Sequence, residues 1–214
     1  MNAIIRPRST ILFQGDSITD VERSRSVTSG HSSHSLGSGY AYMAAAELLA
    51  SRPSEGLSFF NRGISGNRIV DLYARIKSDT INLRPDVLSV LIGVNDTWHH
   101  FGGDNGVPVP KYERIYRDYL NETREALPDI LLVLCEPFVL RCGVVTEEWI
   151  AEMQERRSVV ASLAKEFSAI LVPFQQMFDA ALQDAPPEYW ADDGVHPTPA
   201  GHYLMAQAWL KAMS

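Results

Sequence analysis

Four short blocks set chemically versatile residues after apolar runs or just ahead of the last helical pattern. They are Gly15-Asp16-Ser17 in ILFQGDSITD, Gly63 in NRGISGN, Asn95-Asp96 in IGVND, and Asp193 with His196 in DDGVHP. A serine hydroxyl is a poor nucleophile at neutral pH and needs a base within hydrogen-bond reach. An imidazole titrates near working pH, so it can take that proton and return it to a leaving alcohol. His196 is the candidate base, and activity is expected to fall in acid as that base protonates. Asp193 could bond the other ring nitrogen, fixing the tautomer and stabilising the imidazolium; Asp192 is a rival on residue type alone. Each block also has a plainer explanation. Asp16 and Ser17 suit a helix N-cap, and Gly63 and Gly66 suit a turn with positive φ. Asn95 and Asp96 suit local backbone bonds, and Asp193 to His196 suits a surface turn stopped by Pro197.

The elements that must position these residues can be read from hydrophobic pattern. Continuous apolar runs bounded by turn residues, at Thr10–Gln14, Leu57–Asn61, Val87–Ile92, Ile130–Cys135 and Ala169–Val172, predict strands buried on both faces. Helical patterns lie between them at Tyr40–Ala50, Arg68–Lys77, about Tyr112 to Leu127, Thr146–Phe167 and from Pro199 onward. Such alternation predicts an α/β fold: a three-layer α/β/α sandwich around a five-stranded parallel sheet in the order 2-1-3-4-5. The ligand crevice is then expected at the carboxyl ends of strands 1 and 3, where the order reverses. That edge would gather the first three blocks. Two long connections border it, the serine- and glycine-rich stretch 24–39 and the stretch 96–111. The first is read as a solvated loop, a lid or a subunit contact.

Composition narrows the function classes. A chain of 214 residues with 45% hydrophobic and 21% charged residues predicts one globular domain over 1–214. A net charge of -7 without a Lys/Arg cluster argues against nucleic acid and anionic membranes. No run reaches the length of a membrane span. The stretch MNAIIRPRSTILF lacks a secretory pattern, which predicts a cytoplasmic protein. Cys135 and Cys142 fit no metal spacing and are expected to be free. Neither a metal nor a cofactor is expected. There is no H-E-x-x-H and no Walker lysine, and Tyr42 stands where a dinucleotide fingerprint needs its third glycine. No G-x-S-x-G elbow occurs either.

Taken in order, the four blocks resemble those of the SGNH hydrolases, also called GDSL-type esterases and lipases. The resemblance spans nearly the whole chain. It implies a serine ester hydrolase with Ser17 as nucleophile, and its spacing selects Asp193 over Asp192 as the acid beside His196. It also implies an oxyanion hole formed by the backbone amides of Ser17 and Gly63 and the side-chain amide of Asn95. Within the family, GDSITD with its arginine-containing loop, LGSGY, NRGISGN, IGVND-x-W and Trp190 look like the intracellular acetylxylan-esterase branch. The implied substrate is a small ester, an acetylated sugar such as an acetylated xylo-oligosaccharide. Asp16, Trp98 and Trp190 are candidate substrate contacts, the tryptophans by stacking on sugar faces or else serving as packing residues. The branch also implies a homo-oligomer, with Arg23 and Arg25 as candidate interface residues. The alternatives are a lysophospholipase, thioesterase or short-chain arylesterase of the same fold, or a non-catalytic ligand-binding member.

Overall fold

The computed structural model describes residues 4–26 and 32–214. The five apolar runs pair as one parallel sheet. Its strands are β1 (Thr10–Gly15), β2 (Ser58–Asn61), β3 (Val87–Leu91), β4 (Leu131–Cys135) and β5 (Ile170–Val172), in the order β2-β1-β3-β4-β5. The register puts Gly15 beside Leu91 and Leu91 beside Cys135, so the carboxyl ends of β1, β3 and β4 are level.

Successive strand residues enter opposite cores, as the period of two requires. Ile11, Phe13, Val133 and Cys135 face one core, and Leu12, Leu88, Leu132 and Leu134 the other. The first core is covered by α3 (Tyr40–Ser51), α9 (Phe174–Ala181) and α11 (Pro199–Ala212). The second is covered by α4 (Ile69–Ala74), α7 (Val109–Ala126) and the later turns of α8 (Glu147–Glu166). Fully burying one such apolar side chain stabilises a fold by roughly 1.5–3 kcal/mol, which is why both faces must be roofed. Ser89 is the polar residue in the middle of β3, and it is buried. It has a partner: Trp209 Nε1 on α11 donates to its Oγ at 3.0 Å. Both cysteines are free.

Several connections differ from expectation. The stretch 96–111 is helical over much of its length, as α6 (Val94–Gly103). Its polar and glycine content is overridden by packing, because Trp98 and Phe101 meet Trp149 while His100 meets Glu152. The segment 68–77 breaks at Arg75 between α4 and α5 (Ile76–Asp79). The break lets the Arg75 guanidinium donate to Gln14 Oε1, Arg62 O and Gly15 O beside the end of β1. Within 24–39 there is one turn of helix, α2 (Ser33–Leu36), and residues 27–31 lie outside the described residues. Short α1 (Ser17–Asp20) and α10 (Pro187–Trp190) complete the helices that frame the site. No described helix is long and apolar enough to cross a membrane.

Candidate active site

Ser17 stands at the first position of α1, where β1 turns out of the sheet. The turn is tight: a Cβ on Gly15 would lie 2.4 Å from Leu91 O and 2.4 Å from Thr19 Oγ1. Asp16 caps the helix, its Oδ1 accepting from Ile18 N at 3.0 Å. The cap is therefore Asp16 and not Ser17. Helix geometry leaves the first amide protons without intrahelical partners, and the Ser17 N–H has no acceptor among the described residues.

Asp193 and His196 come from the turn between α10 and α11, pinched by an isolated antiparallel bridge between Ala191 and Pro197. One carboxylate both builds this turn and aims the ring. Asp193 Oδ1 accepts from Val195 N at 2.9 Å and from His196 N at 2.7 Å. Its Oδ2 lies 2.7 Å from His196 Nδ1, and His196 Nε2 lies 2.9 Å from Ser17 Oγ. Burial works to raise the Asp193 pKa, but the His196 amide, the imidazole and the Val195 amide together hold it below the usual carboxylate value. Asp193 thus stays ionised and acceptor-only. The turn is seated from below, where Leu140 N donates to Gly194 O at 2.8 Å and Val144 N to Asp193 O at 3.1 Å.

The two other blocks arrive at the same edge. Asn95 lies in the first turn of α6, nearly buried, with Nδ2 donating to Asn67 O at 3.2 Å. One of its two amide protons remains for another acceptor. Gly63 does not present a free amide. Its N–H donates to Asn61 Oδ1 at 2.8 Å, its carbonyl accepts from Arg23 Nε at 2.9 Å, and a Cβ there would lie 2.5 Å from Asp20 N. This glycine is needed where the loop after β2 packs closely on α1, and its φ is not positive. Gly66, read from the sequence as a positive-φ turn residue, has φ +82° and open space where a side chain would point. The Gly66 amide has no acceptor among the described residues, and the next carbonyl, Asn67 O, is the one Asn95 touches.

The remaining candidates separate. Trp98 lies against the His196 ring, its centroid 5.7 Å from that of His196, and is backed by Trp149 at 5.3 Å. Trp190 is a packing residue: it is 9% exposed and its Nε1 donates to Ala185 O at 3.2 Å. Asp16 is buried next to Ser17 and is closed off from the surface. Its pKa is pushed up to about 7 by burial, against the Ile18 amide and the nearby charge of His196. Arg23 is likewise internal, bonded to Gly63 O, and so is not a surface contact, whereas the Arg25 side chain is largely exposed. Sequence reading missed His202. Its Nδ1 accepts from Tyr40 N at 3.3 Å, and burial, with His196 adding to it, lowers its pKa to about 4.

The model of the GDSL-like Lipase/Acylhydrolase family matches residues 13–204. An acetylxylan esterase of Geobacillus stearothermophilus is 36% identical over 205 residues, covering 94% of this chain and 92% of that protein. Among solved structures, a Parabacteroides merdae protein described as a GDSL-like lipase superposes with a TM-score of 0.94 at 43% identity, covering 98% of this chain and 97% of that one. The structure of Axe2, an acetylxylan esterase from Geobacillus stearothermophilus, gives 0.89 at 34% identity, covering 98% and 96%. LAE5, an α/β hydrolase enzyme from the metagenome of Lake Arreo, gives 0.91 at 30%, covering 99% and 98%.

Proposed function

Because the chain belongs to the GDSL-like lipase/acylhydrolase family and is an ester-bond hydrolase, we propose that it removes acetyl groups from acetylated xylo-oligosaccharides through an acetyl-Ser17 intermediate. The observation that carries the catalytic part is the unbroken chain from Ser17 Oγ to His196 Nε2 at 2.9 Å and from His196 Nδ1 to Asp193 Oδ2 at 2.7 Å. The choice of acetylated sugar rests on the similarity to an acetylxylan esterase over most of both chains.

In this reading Ser17 Oγ attacks the acetyl carbonyl carbon while its proton passes to His196 Nε2. The carbonyl electron pair moves onto oxygen, and preorganised donors meet the charge there. The Ser17 and Gly66 amides and Asn95 Nδ2 are assigned that task, Gly66 taking the place expected of Gly63. The bond to the sugar oxygen then breaks, and His196 hands its proton to the departing hydroxyl. Water repeats the sequence on acetyl-Ser17: His196 takes a water proton, the hydroxide oxygen bonds to carbon, and Ser17 leaves with that proton, releasing acetate. His202, already neutral through burial, adds no positive charge beside the imidazolium.

The test is a substrate panel: peracetylated xylobiose, a lysophospholipid, an acyl-CoA and nitrophenyl esters from acetyl to octanoyl. Faster turnover of the acetyl compounds is expected. Octanoyl esters cleaved much faster than acetyl would point to the lipase or thioesterase alternatives, and no turnover of any would point to a ligand-binding member.

A further inference from the structure

We propose that Arg156 is a positioning residue for Asn95, acting on the first turn of α6 from behind; this rests on the reading of Asn95 as an oxyanion donor. Asn95 makes one side-chain hydrogen bond, to Asn67 O at 3.2 Å, so where its amide points depends on how firmly that turn is held. Arg156, on α8, is 0% exposed. Its Nε donates to Thr97 Oγ1 at 2.8 Å and its Nη2 to Val107 O at 2.7 Å. Val107 N in turn donates to Asp96 O at 3.1 Å. The guanidinium therefore bridges the start of α6, at Thr97, and the segment that follows α6, at Val107, which are also bonded to each other.

The surrounding groups close the frame. Glu152 pairs with Arg156, accepts from Thr97 Oγ1 at 3.0 Å and meets His100 Nδ1 at 2.7 Å. The guanidinium lies over the Tyr112 ring at 4.9 Å, and the Tyr112 hydroxyl donates to Ile92 O at 2.9 Å, just ahead of the turn. Asp96 accepts from Ile69 N at 3.1 and 3.2 Å, tying the same turn to the start of α4 next to Asn67. A planar guanidinium suits such a frame because its donors are fixed relative to one another.

Stability alone does not account for this arginine. A fully buried ion is costly, and apolar residues of similar volume often replace a buried pair without loss. Arg156 also keeps one nitrogen, Nη1, without a hydrogen-bond partner. The desolvated guanidinium sits behind one residue of the reaction, which is where small displacements are expensive in rate.

Arg156→Met and Thr97→Val test this; the second leaves Arg156 in place and removes the acceptor of its Nε together with the Thr97 donation to Glu152 Oε1. With nitrophenyl acetate, each is expected to lower kcat about 10-fold or more while KM changes by less than about 3-fold. Affinity for a boronic acid that mimics the tetrahedral intermediate should fall in step with kcat/KM. In an Asn95→Ala background, itself slowed about 10²–10³-fold, Thr97→Val should add little, since the two act as a unit. If Thr97→Val multiplies its full effect onto Asn95→Ala, or shifts KM and not kcat, the positioning role is overturned. If Asn95→Ala alone leaves kcat unchanged, the oxyanion reading fails first. Should Arg156→Met not fold, Thr97→Val decides the matter alone.

Discussion

Asp16 and Ser17 divide two tasks that the same short motif could have given to either. Asp16 caps α1, which leaves the Ser17 hydroxyl for His196 and its amide unpaired at the helix start. That Ser17, Asp193 and His196 meet was legible because the pattern that places them is local: a strand end, a two-residue gap and a turn. Gly63 and Gly66 were not distinguishable by type, since the letter does not say which amide is already bonded; the Asn61 side chain decides that. Trp190 was opaque for a similar reason, its burial depending on α11 packing over it. At this scale Asp193→Asn is expected to lower kcat on nitrophenyl acetate by on the order of 10⁴-fold, because an amide no longer stabilises the imidazolium and can hold the wrong tautomer. Asp192→Asn should stay within about 3-fold of the parent in the same assay, the size of effect expected of a group outside the transition state. Equal losses in both would reopen the choice of acid.

The elements work as levers on these residues. α11 starts directly after the Asp193–His196 turn, and Thr198 caps it, Oγ1 accepting from Gly201 N at 3.3 Å and donating to Tyr189 O at 2.8 Å. Thr198→Ala should therefore destabilise the protein by about 1 kcal/mol, read as a lower midpoint in urea, with a smaller loss of kcat as the turn loosens. Strand existence and order followed from apolar runs, because a doubly covered parallel strand has no polar face to confuse the pattern. α6 was read as loop because its order comes from outside it. Two glycines and two histidines disguise a helix that Trp149 and Glu152 hold in place. The break at Arg75 was equally invisible, since its cause is a guanidinium reaching the end of β1.

For the molecule as a whole, the same buried charges that frame the site set its response to pH. Asp96 is fully buried, and burial pushes its pKa up to about 7 against the opposing charge of Arg156 and the Ile69 amide, with Asp16 raising it further. A carboxyl whose folded pKa exceeds its unfolded value contributes stability that is complete below about 4 and is lost as pH rises through about 7. His202 acts in the opposite sense: its contribution is present above the unfolded value of 6.5 and is lost as pH falls through about 4. Asp96→Asn keeps an acceptor for Ile69 N and removes the ionisation. Its melting temperature relative to the parent is expected to climb between pH 4 and pH 8, by calorimetry; a constant difference would mean that Asp96 does not titrate there. The net charge of -7 fits a neutral sugar ester better than a phosphate-bearing polymer. The central claim is that Ser17 takes the acetyl group, and acetate release from peracetylated xylobiose tests it most directly. The parent protein is predicted to release acetate and Ser17→Ala, folded to the same melting temperature, to release none above the uncatalysed rate; equal release by the two proteins would contradict the account.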